Sequence, residues 1–563
     1  MNFEVRNVFK KNLRSHSRVL FWTIFISLFA TFLLGRRSEF RLSHDFSSYL
    51  LPAFGESHGQ GNVYVDYFIN RPPMLFSLIK IWGTTFGWRY STWVLLEILS
   101  LLIVSLGIYT LAKQFLHLVS ARLFTLIFLS TLLFSDITSM FLTSEIIALG
   151  FIVLATVILT KAVDLNTRSV TISSALFTFS ALVREQFAVV SICFILGLSC
   201  MTLLHRRKFI AISQALFGSG VILFCTALYL YVNQSFSSFF HIFVRTFKNE
   251  HVGLPQYLNW FLEVLPKLRG YFYFSSFAQY HLLIAIFPIG IVSWGFLRRF
   301  GKDRKSLLSE TNSSNLFFIW IIGISLIISS GWQSHGFRYT GHYALPGFLG
   351  LTLVSIVVLG FLRQVSNKIE SRSSLKRLPY FVLIAAIFIS LLPGKPTVTS
   401  LSQSYTRISP RNFIDRISNS DSEVLSAEEA TALRIISTSP RDFKCSVKVY
   451  GWGTADFYYY TRSKPCSRFF LVNLIIEVKD YEEYRKSLTE NPPRIISYGC
   501  RRYNCSDLDY EDFEQAGFPF GKVLPACYHM IQSRNTDFED EGLYLSNFNS
   551  RESQQRCIIN ADN

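Results

Sequence analysis

The sequence predicts a polytopic α-helical membrane protein of about eleven spans, followed by a C-terminal extracytoplasmic α/β domain. Three observations carry that prediction. First, apolar residues fall in blocks of roughly 15–24, close to the ~20 that a helix needs to cross a bilayer. Second, only 17% of the 563 residues are charged while 50% are hydrophobic, 54 are Phe and mean hydropathy is +0.31. A soluble domain is about 25% charged, so one large soluble enzyme is excluded, as are fibrous and disordered classes. Third, the net charge of +17 is unevenly spread. Residues 395–563 hold 21 basic and 23 acidic side chains, a net of −2, and residues 1–394 hold 34 and 15, a net of +19. That excess sits in short loops between apolar blocks, as the positive-inside rule expects. It argues against a nucleic-acid partner.

In chain order the predicted spans are Val19–Leu34, Trp93–Lys113, Arg122–Ser135, Glu145–Val163, Val170–Val183, Phe187–Leu204, Phe209–Val232, His281–Leu297, Leu316–Gly331, Tyr343–Leu362 and Tyr380–Leu392. Basic clusters precede the first span (Lys10, Lys11, Arg14, Arg18) and recur at Lys113 with Arg122, Lys161 with Arg168, Arg206–Lys208, Arg298–Lys305 and Arg363–Arg377. Eleven spans place all of these on one side, the cytoplasmic one. The intervening loops and everything after Leu392 are then outside. No small-residue cleavage site follows the first apolar run, which therefore reads as a retained span. Within the large first outside loop, residues 35–92, the run "RPPMLFSLIKIWGTTFG" is short and opens on Pro72-Pro73. It reads as an interfacial helix lying on the outer surface, not as a crossing.

From about Lys395 the composition turns polar. Short β-type runs alternate with helical ones through "SVKVYGW", "ADFYYYT", "CSRFFLV", "EVKDYEEYRKSL" and "RIISYG", with a further helical stretch at Asp509–Ala516, which suggests a small α/β domain. Gly451-Trp452-Gly453 resembles a dinucleotide turn, but Asp456 stands where a third glycine is needed, so a tight strand-to-helix turn is the better reading. Six cysteines lie here: Cys445, Cys466, Cys500, Cys505, Cys527 and Cys557. In an exported domain they read as disulfides of open connectivity, Cys500 and Cys505 being close enough to close a short loop. No histidine accompanies them at ligand spacing, which argues against zinc. Cys193, Cys200 and Cys225 fall inside spans and read as small apolar packing residues.

Charge at the outer ends of spans is costly, so such residues are candidates for function. In the first outside loop, Asp45 follows His44, and Asp66 stands beside Tyr64 and Tyr67. A carboxylate at a membrane surface can act as general base on an acceptor hydroxyl. The alternative is that each aspartate caps a helix or pairs with Arg41 or Arg71. A basic set, Arg338 and His342 in "GWQSHGFRYTGHYALPG", Arg184 in "ALVREQFAV", and Arg245, Lys248 and His251 in a later loop, can hold a phosphate. Snorkelling to lipid headgroups is the alternative for Lys248 and Arg245. Asp136 and Glu145 bracket another outside loop, where they cap helices, pair with Arg184 or bind a cation.

Taken together, the Asp-bearing first loop and "VYVDYFINRPPMLFSLIKIWGTTFG" resemble the GT-C superfamily of membrane glycosyltransferases, of the protein O-mannosyltransferase and aminoarabinose-transferase type. The family pattern Tyr-x-Asp-[Tyr/Phe]-Phe…[Lys/Arg]-Pro-Pro-Leu corresponds to Tyr64, Asp66, Tyr67, Phe68, Arg71, Pro72 and Pro73, with Met74 in place of Leu. "FRYTGHYALPGFLGLTL", containing Arg338, His342 and Tyr343, is similar to a late-span motif of bacterial members. "VYGWGTADFYYYTRSKPCSRF" is similar to the start of their outside domain. The resemblance implies a bacterial inner-membrane enzyme with a cytoplasmic N-terminus that moves a sugar from a polyprenyl-phosphate donor to a glycan, lipid or protein acceptor. It implies Asp45 as base, Asp66 as assistant, and Arg338 with His342 at the lipid phosphate. Tyr343, Tyr64, Arg71 and Arg184, the last where relatives carry Lys, complete the implied substrate-binding set. Relatives differ in metal use, and no outside cluster has clear ligand spacing, so a divalent cation stays open. The sugar is not specified.

Two other functions fit a multi-span chain with outer charges. A transporter or flippase of a lipid-linked precursor tends to show two related halves with broken helices, and no internal repeat is present. A scaffold whose outside domain binds envelope partners would leave the Pro-Pro motif and the outer charges incidental.

Overall fold

The computed structural model describes residues 17–30, 32, 44–134, 142–161, 167–205, 209–250, 310–330, 345–368, 425, 427–440, 443–449, 454–470, 478–498, 520–533 and 542–562. Its helices, in chain order, are α1 (Ser17–Ala30), α2 (His44–Ser57), α3 (Pro73–Phe86), α4 (Tyr90–Phe115), α5 (Leu118–Phe134), α6 (Ser144–Lys161), α7 (Thr167–Val183), α8 (Ala188–His205), α9 (Ile210–Val232), α10 (Phe236–Glu250), α11 (Glu310–Ser330) and α12 (Leu345–Lys368). Among the described residues, the helical segments at Tyr90–Phe115, Ser144–Lys161, Glu185–Thr202 and Ile210–Val232 are long and apolar enough to cross a membrane. Shorter apolar helices cover the predicted spans at Val19, Arg122, Leu316 and Tyr343, and α7 covers the one at Val170. His281–Leu297 and Tyr380–Leu392 lie outside the described residues.

The chain divides into two compact units, each assembled from separated segments. The first comprises Met1–Phe40, Leu95–Thr226 and Lys248–Phe413. Its core is aliphatic and aromatic: Phe128 stacks on Phe348 at 5.3 Å, and Phe194 sits 5.0 Å from Phe177 and 5.9 Å from Phe318. On the outward face of α9, Phe217 and Phe224 are 66% and 68% exposed. A row of bare aromatics would be a liability in water and is ordinary against hydrocarbon. Cys200 and Cys225 also lie exposed and Cys193 half-buried, so the packing role expected of these three does not hold for the exposed pair.

The second unit comprises Arg41–Val94, Ala227–Phe247 and Ile414–Asn563. Its C-terminal part contains α13 (Ala427–Thr438), β1 (Cys445–Val449), α14 (Thr454–Thr461), β2 (Lys464–Pro465), α15 (Val478–Glu490), β3 (Ile495–Tyr498), α16 (Phe520–Cys527), β4 (Tyr528–Ser533), β5 (Gly542–Ser546) and α17 (Arg551–Asp562). The strands form one mixed sheet in the order β2-β1-β3-β5-β4, β1 running parallel to β2 and β3, and β5 antiparallel to β3 and β4. The strand and helix expected to flank Gly451–Gly453 appear as β1 and α14, the glycines and the turn itself lying outside the described residues. Two disulfides join Cys445 to Cys466 and Cys527 to Cys557. Cys500, Cys505 and Asp509–Ala516 lie outside the described residues.

Candidate active site

The motif-bearing loop is built between α2 and α3. α2 ends in a Schellman arrangement: Gln60 N–H donates to Gly55 O at 2.8 Å, Gly59 N–H to Glu56 O at 3.4 Å, and Gly59 takes a left-handed φ of 67°. The chain then closes on itself. Asp66 N–H donates to Asn62 O at 2.9 Å, and Asn62 N–H donates to Asp66 Oδ2 at 2.7 Å. Gly61 is required here twice over, by its φ of 153° and because a Cβ would stand 2.6 Å from that of Asp66. Tyr64, at φ 72°, is a bulky residue in a region that favours glycine. Such strain persists where surroundings over-determine it, and here they do. The Tyr64 ring is fully buried 5.7 Å from Phe76 and 5.1 Å from Phe239, and its hydroxyl donates to Arg71 O at 2.6 Å.

After this loop Pro72-Pro73 sets the direction of α3. Pro73 occupies the first helical turn, where its missing N–H costs nothing. α3 buries Met74, Leu75, Phe76 and Ile79, and Lys80, one turn after Phe76 at the edge of that stripe, meets Glu56 at 2.6 Å. The Glu56 side chain, only 3% exposed, also accepts from the Tyr229 hydroxyl at 2.9 Å. A buried carboxylate needs a counter-charge and hydrogen bonds, and Glu56 has both. This latch fixes the end of α2 against α3 and the end of α9. Sequence reading passed over Glu56, because its partners stand far away along the chain.

The structure distributes the expected site residues unevenly. Asp45 is the second residue of α2, and its side chain lies outside the described ones. Asp66 is 37% exposed at its side chain and faces Lys464 Nζ at 3.9 Å, while Arg41 lies outside the described residues. The Arg71 guanidinium stands 5.9 Å over the Tyr49 ring. Tyr64 is committed to the core and to Arg71 O, so it shapes the loop and offers no exposed surface to a substrate. Arg184 is likewise not an open phosphate site: it is 3% exposed, its Nε 2.9 Å from Glu145 and its Nη1 3.6 Å from Glu185. A matched buried pair explains its presence at this helix end without a ligand, and Glu145, in the first turn of α6, is found paired with Arg184. Arg245 is also buried, in a two-pronged ion pair with Asp480, which replaces the lipid-facing role considered for it. Arg338, His342, Tyr343, His251 and Asp136 lie outside the described residues, as does the side chain of Lys248.

Near the Asp66 loop, Arg462 stands 4.9 Å over the buried rings of Phe54 and Tyr459, and Arg468, paired with Glu483 at 2.6 Å, stands 5.6 Å over Phe68. Tyr67, fully buried beneath, has its hydroxyl pushed to ionise well above the usual range, first by burial and then by the Asp66 charge. It is therefore neutral and no base. Among the described residues no group of three or more His, Cys, Asp or Glu is placed to hold a metal ion.

No family model and no curated protein matches the chain. Solved structures that resemble it include an oligosaccharyltransferase from Archaeoglobus fulgidus tethered with an acceptor peptide, at 11% identity over 94% of this chain and 74% of that one, TM-score 0.45. The archaeal oligosaccharyltransferase AglB from the same organism, in complex with an inhibitory peptide and a dolichol-phosphate, is 12% identical over 95% and 75%, TM-score 0.45. ArnT from Cupriavidus metallidurans bound to undecaprenyl phosphate is 13% identical over 94% and 98%, TM-score 0.47. At such identities the likeness transfers no residue's role.

Proposed function

We propose that the chain is a GT-C-type, inverting membrane glycosyltransferase that moves a sugar from a polyprenyl-phosphate carrier to an acceptor hydroxyl on the outer face of a membrane. The observation that carries this reading is Asp66. It is a water-accessible carboxylate, held by the Asn62 N–H and faced by a lysine, in the loop that bears the Tyr-x-Asp…Arg-Pro-Pro motif, within a chain of membrane-length apolar helices. In the proposed reaction the acceptor oxygen attacks the anomeric carbon while the bond from that carbon to the phosphate oxygen breaks. The acceptor proton passes to a carboxylate, Asp45 as general base with Asp66 orienting the hydroxyl. The lipid phosphate leaves with the bonding pair, its growing charge met by Arg338, His342 and Arg71. Tyr343 is assigned to substrate binding with them. Arg184, paired with Glu145 and Glu185, is left out of this set.

Asp45→Asn and Asp66→Asn each test the reading. With the protein still folded in membranes, transfer of label from a polyprenyl-phosphate sugar to envelope acceptors is expected to fall about a hundredfold to ten-thousandfold for a lost base. Unchanged product in Asp45→Asn would remove it as the base. Redistribution of labelled lipid without any transfer would favour a carrier.

A further inference from the structure

The segment Arg462–Phe470 belongs by sequence to the C-terminal domain, yet it runs alongside the Asp66 loop. Phe68 N–H donates to Arg468 O at 2.9 Å. The rings of Phe68 and Phe469 are 4.9 Å apart, those of Tyr67 and Phe470 6.0 Å. Lys464 faces Asp66, and Arg462 covers Phe54 at the end of α2. This segment has little regular structure of its own. β2 is two residues long and pairs with β1 only at Cys445 with Lys464 and Ser446 with Pro465. Around that pairing, Cys466 N–H donates to Ser446 O at 3.2 Å, and the Ser446 and Ser463 hydroxyls meet at 2.6 Å. The one covalent tie is Cys445–Cys466, placed between Lys464 and Arg468.

We propose that the strap Arg462–Phe470, clasped to β1 by the Cys445–Cys466 disulfide, holds the Asp66 loop in its working shape, with Lys464 as a positioning residue for the Asp66 carboxylate. The proposal deepens the transferase reading and rests on it for the word "working"; the mechanical part stands alone. Phe469 and Phe470, each 1% exposed, and the Arg468–Glu483 ion pair seat one end of the strap. Two residues of parallel pairing open easily by themselves, so the disulfide is what ties its Lys464 end to β1. The second disulfide is an internal control. Cys527–Cys557 joins α16 to α17 beside β4, at the opposite edge of the sheet from β2.

The test is hydrogen exchange on the full chain in detergent, followed in peptides covering residues 58–71 and 520–533. Replacing the clasp (C445S/C466S) is expected to speed exchange in 58–71 by about tenfold or more, as local opening becomes accessible. Replacing the other pair (C527S/C557S) is expected to speed exchange only in 520–533. Should C445S/C466S not fold, K464Q and F469A take its place and are expected to loosen 58–71 in the same direction. Exchange in 58–71 that stays at the wild-type rate in whichever of these variants fold overturns the proposal. Transfer assays then separate the two readings. If the wild type transfers sugar, K464Q should lower kcat roughly twofold to fivefold, the size of a half-exposed ion pair, with KM little changed and K464R restoring the rate. Faster exchange in a chain whose wild type transfers nothing upholds the strap and sinks the transferase reading. Wild-type transfer with unaltered exchange does the reverse.

Discussion

Tyr67 puts an unpartnered hydroxyl, among the described residues, into a buried position against α2. It fits only because residue 55 is glycine: a Cβ there would lie 2.0 Å from the Tyr67 hydroxyl oxygen and 2.6 Å from its ring carbon. Gly55→Ala should therefore destabilise by about 1–3 kcal/mol through overpacking, read as a lower thermal midpoint of the detergent-solubilised chain. Tyr67→Phe alone should be neutral or slightly stabilising, since it removes a buried polar group that makes no bond. Added to Gly55→Ala it should recover part of the loss. At this scale Asp66 was legible from its motif, and Tyr64 from the same motif. Their difference in role was not, because one side chain points to water and its neighbour-but-one to the core only once the backbone turns through a positive φ. Glu56 and Lys464 were not legible, since each draws its meaning from a partner supplied by a distant segment.

Among the helices, the approach of α7 to α9 turns on small and hydroxylated residues. Ser219 meets Ser174 at 2.8 Å and accepts from Thr178 at 2.8 Å, while Gly218 faces the backbone of Thr171, whose carbonyl oxygen would be 2.2 Å from an added Cβ. Small residues let helices approach where hydrocarbon gives no hydrophobic drive between them. Gly218→Val should push the pair apart, and the yield of folded protein extracted from membranes should drop while Gly220→Val, facing open space, should not lower it. Helix positions were largely readable, because a run of apolar residues in lipid has no other way to satisfy its backbone. The Pro-Pro run reads as an interfacial helix, and Pro73–Phe86 is a helix of 14 residues. In the C-terminal domain "ADFYYYT" folds as α14 and "CSRFFLV" has no regular structure over its described residues. Alternation of short runs fixes the class of such a domain and leaves each element open.

For the molecule as a whole, the burial of tyrosines outside the apolar helices sets a pH limit. Tyr67, Tyr458 and Tyr528 all ionise above the ordinary value of 10, in each case chiefly because burial penalises the phenolate. A raised folded-state pKa means that the folded chain holds these protons more tightly than the unfolded one. Their contribution is therefore complete below the unfolded value and is lost as pH rises above it. The thermal midpoint of the second unit should fall from about pH 9 upward, with no matching fall from these groups on the acid side. Phenolate absorbance should rise together with unfolding. A smooth phenolate titration of all tyrosines well before unfolding would contradict the burial.

The sequence by itself determined the membrane-length helices, the polar C-terminal domain of mixed strands and helices, and the loop in which Asp66 would be found. Those features depend on composition, run length and motif, which are local properties of the chain. Only the tertiary structure decided that Arg41–Val94, Ala227–Phe247 and Ile414–Asn563 form one compact unit, that Arg184 and Arg245 are matched by buried acids, and that Lys464 is the cation facing Asp66. Charge pairing and burial depend on distance in space, and a linear sequence does not record which remote segment closes that distance.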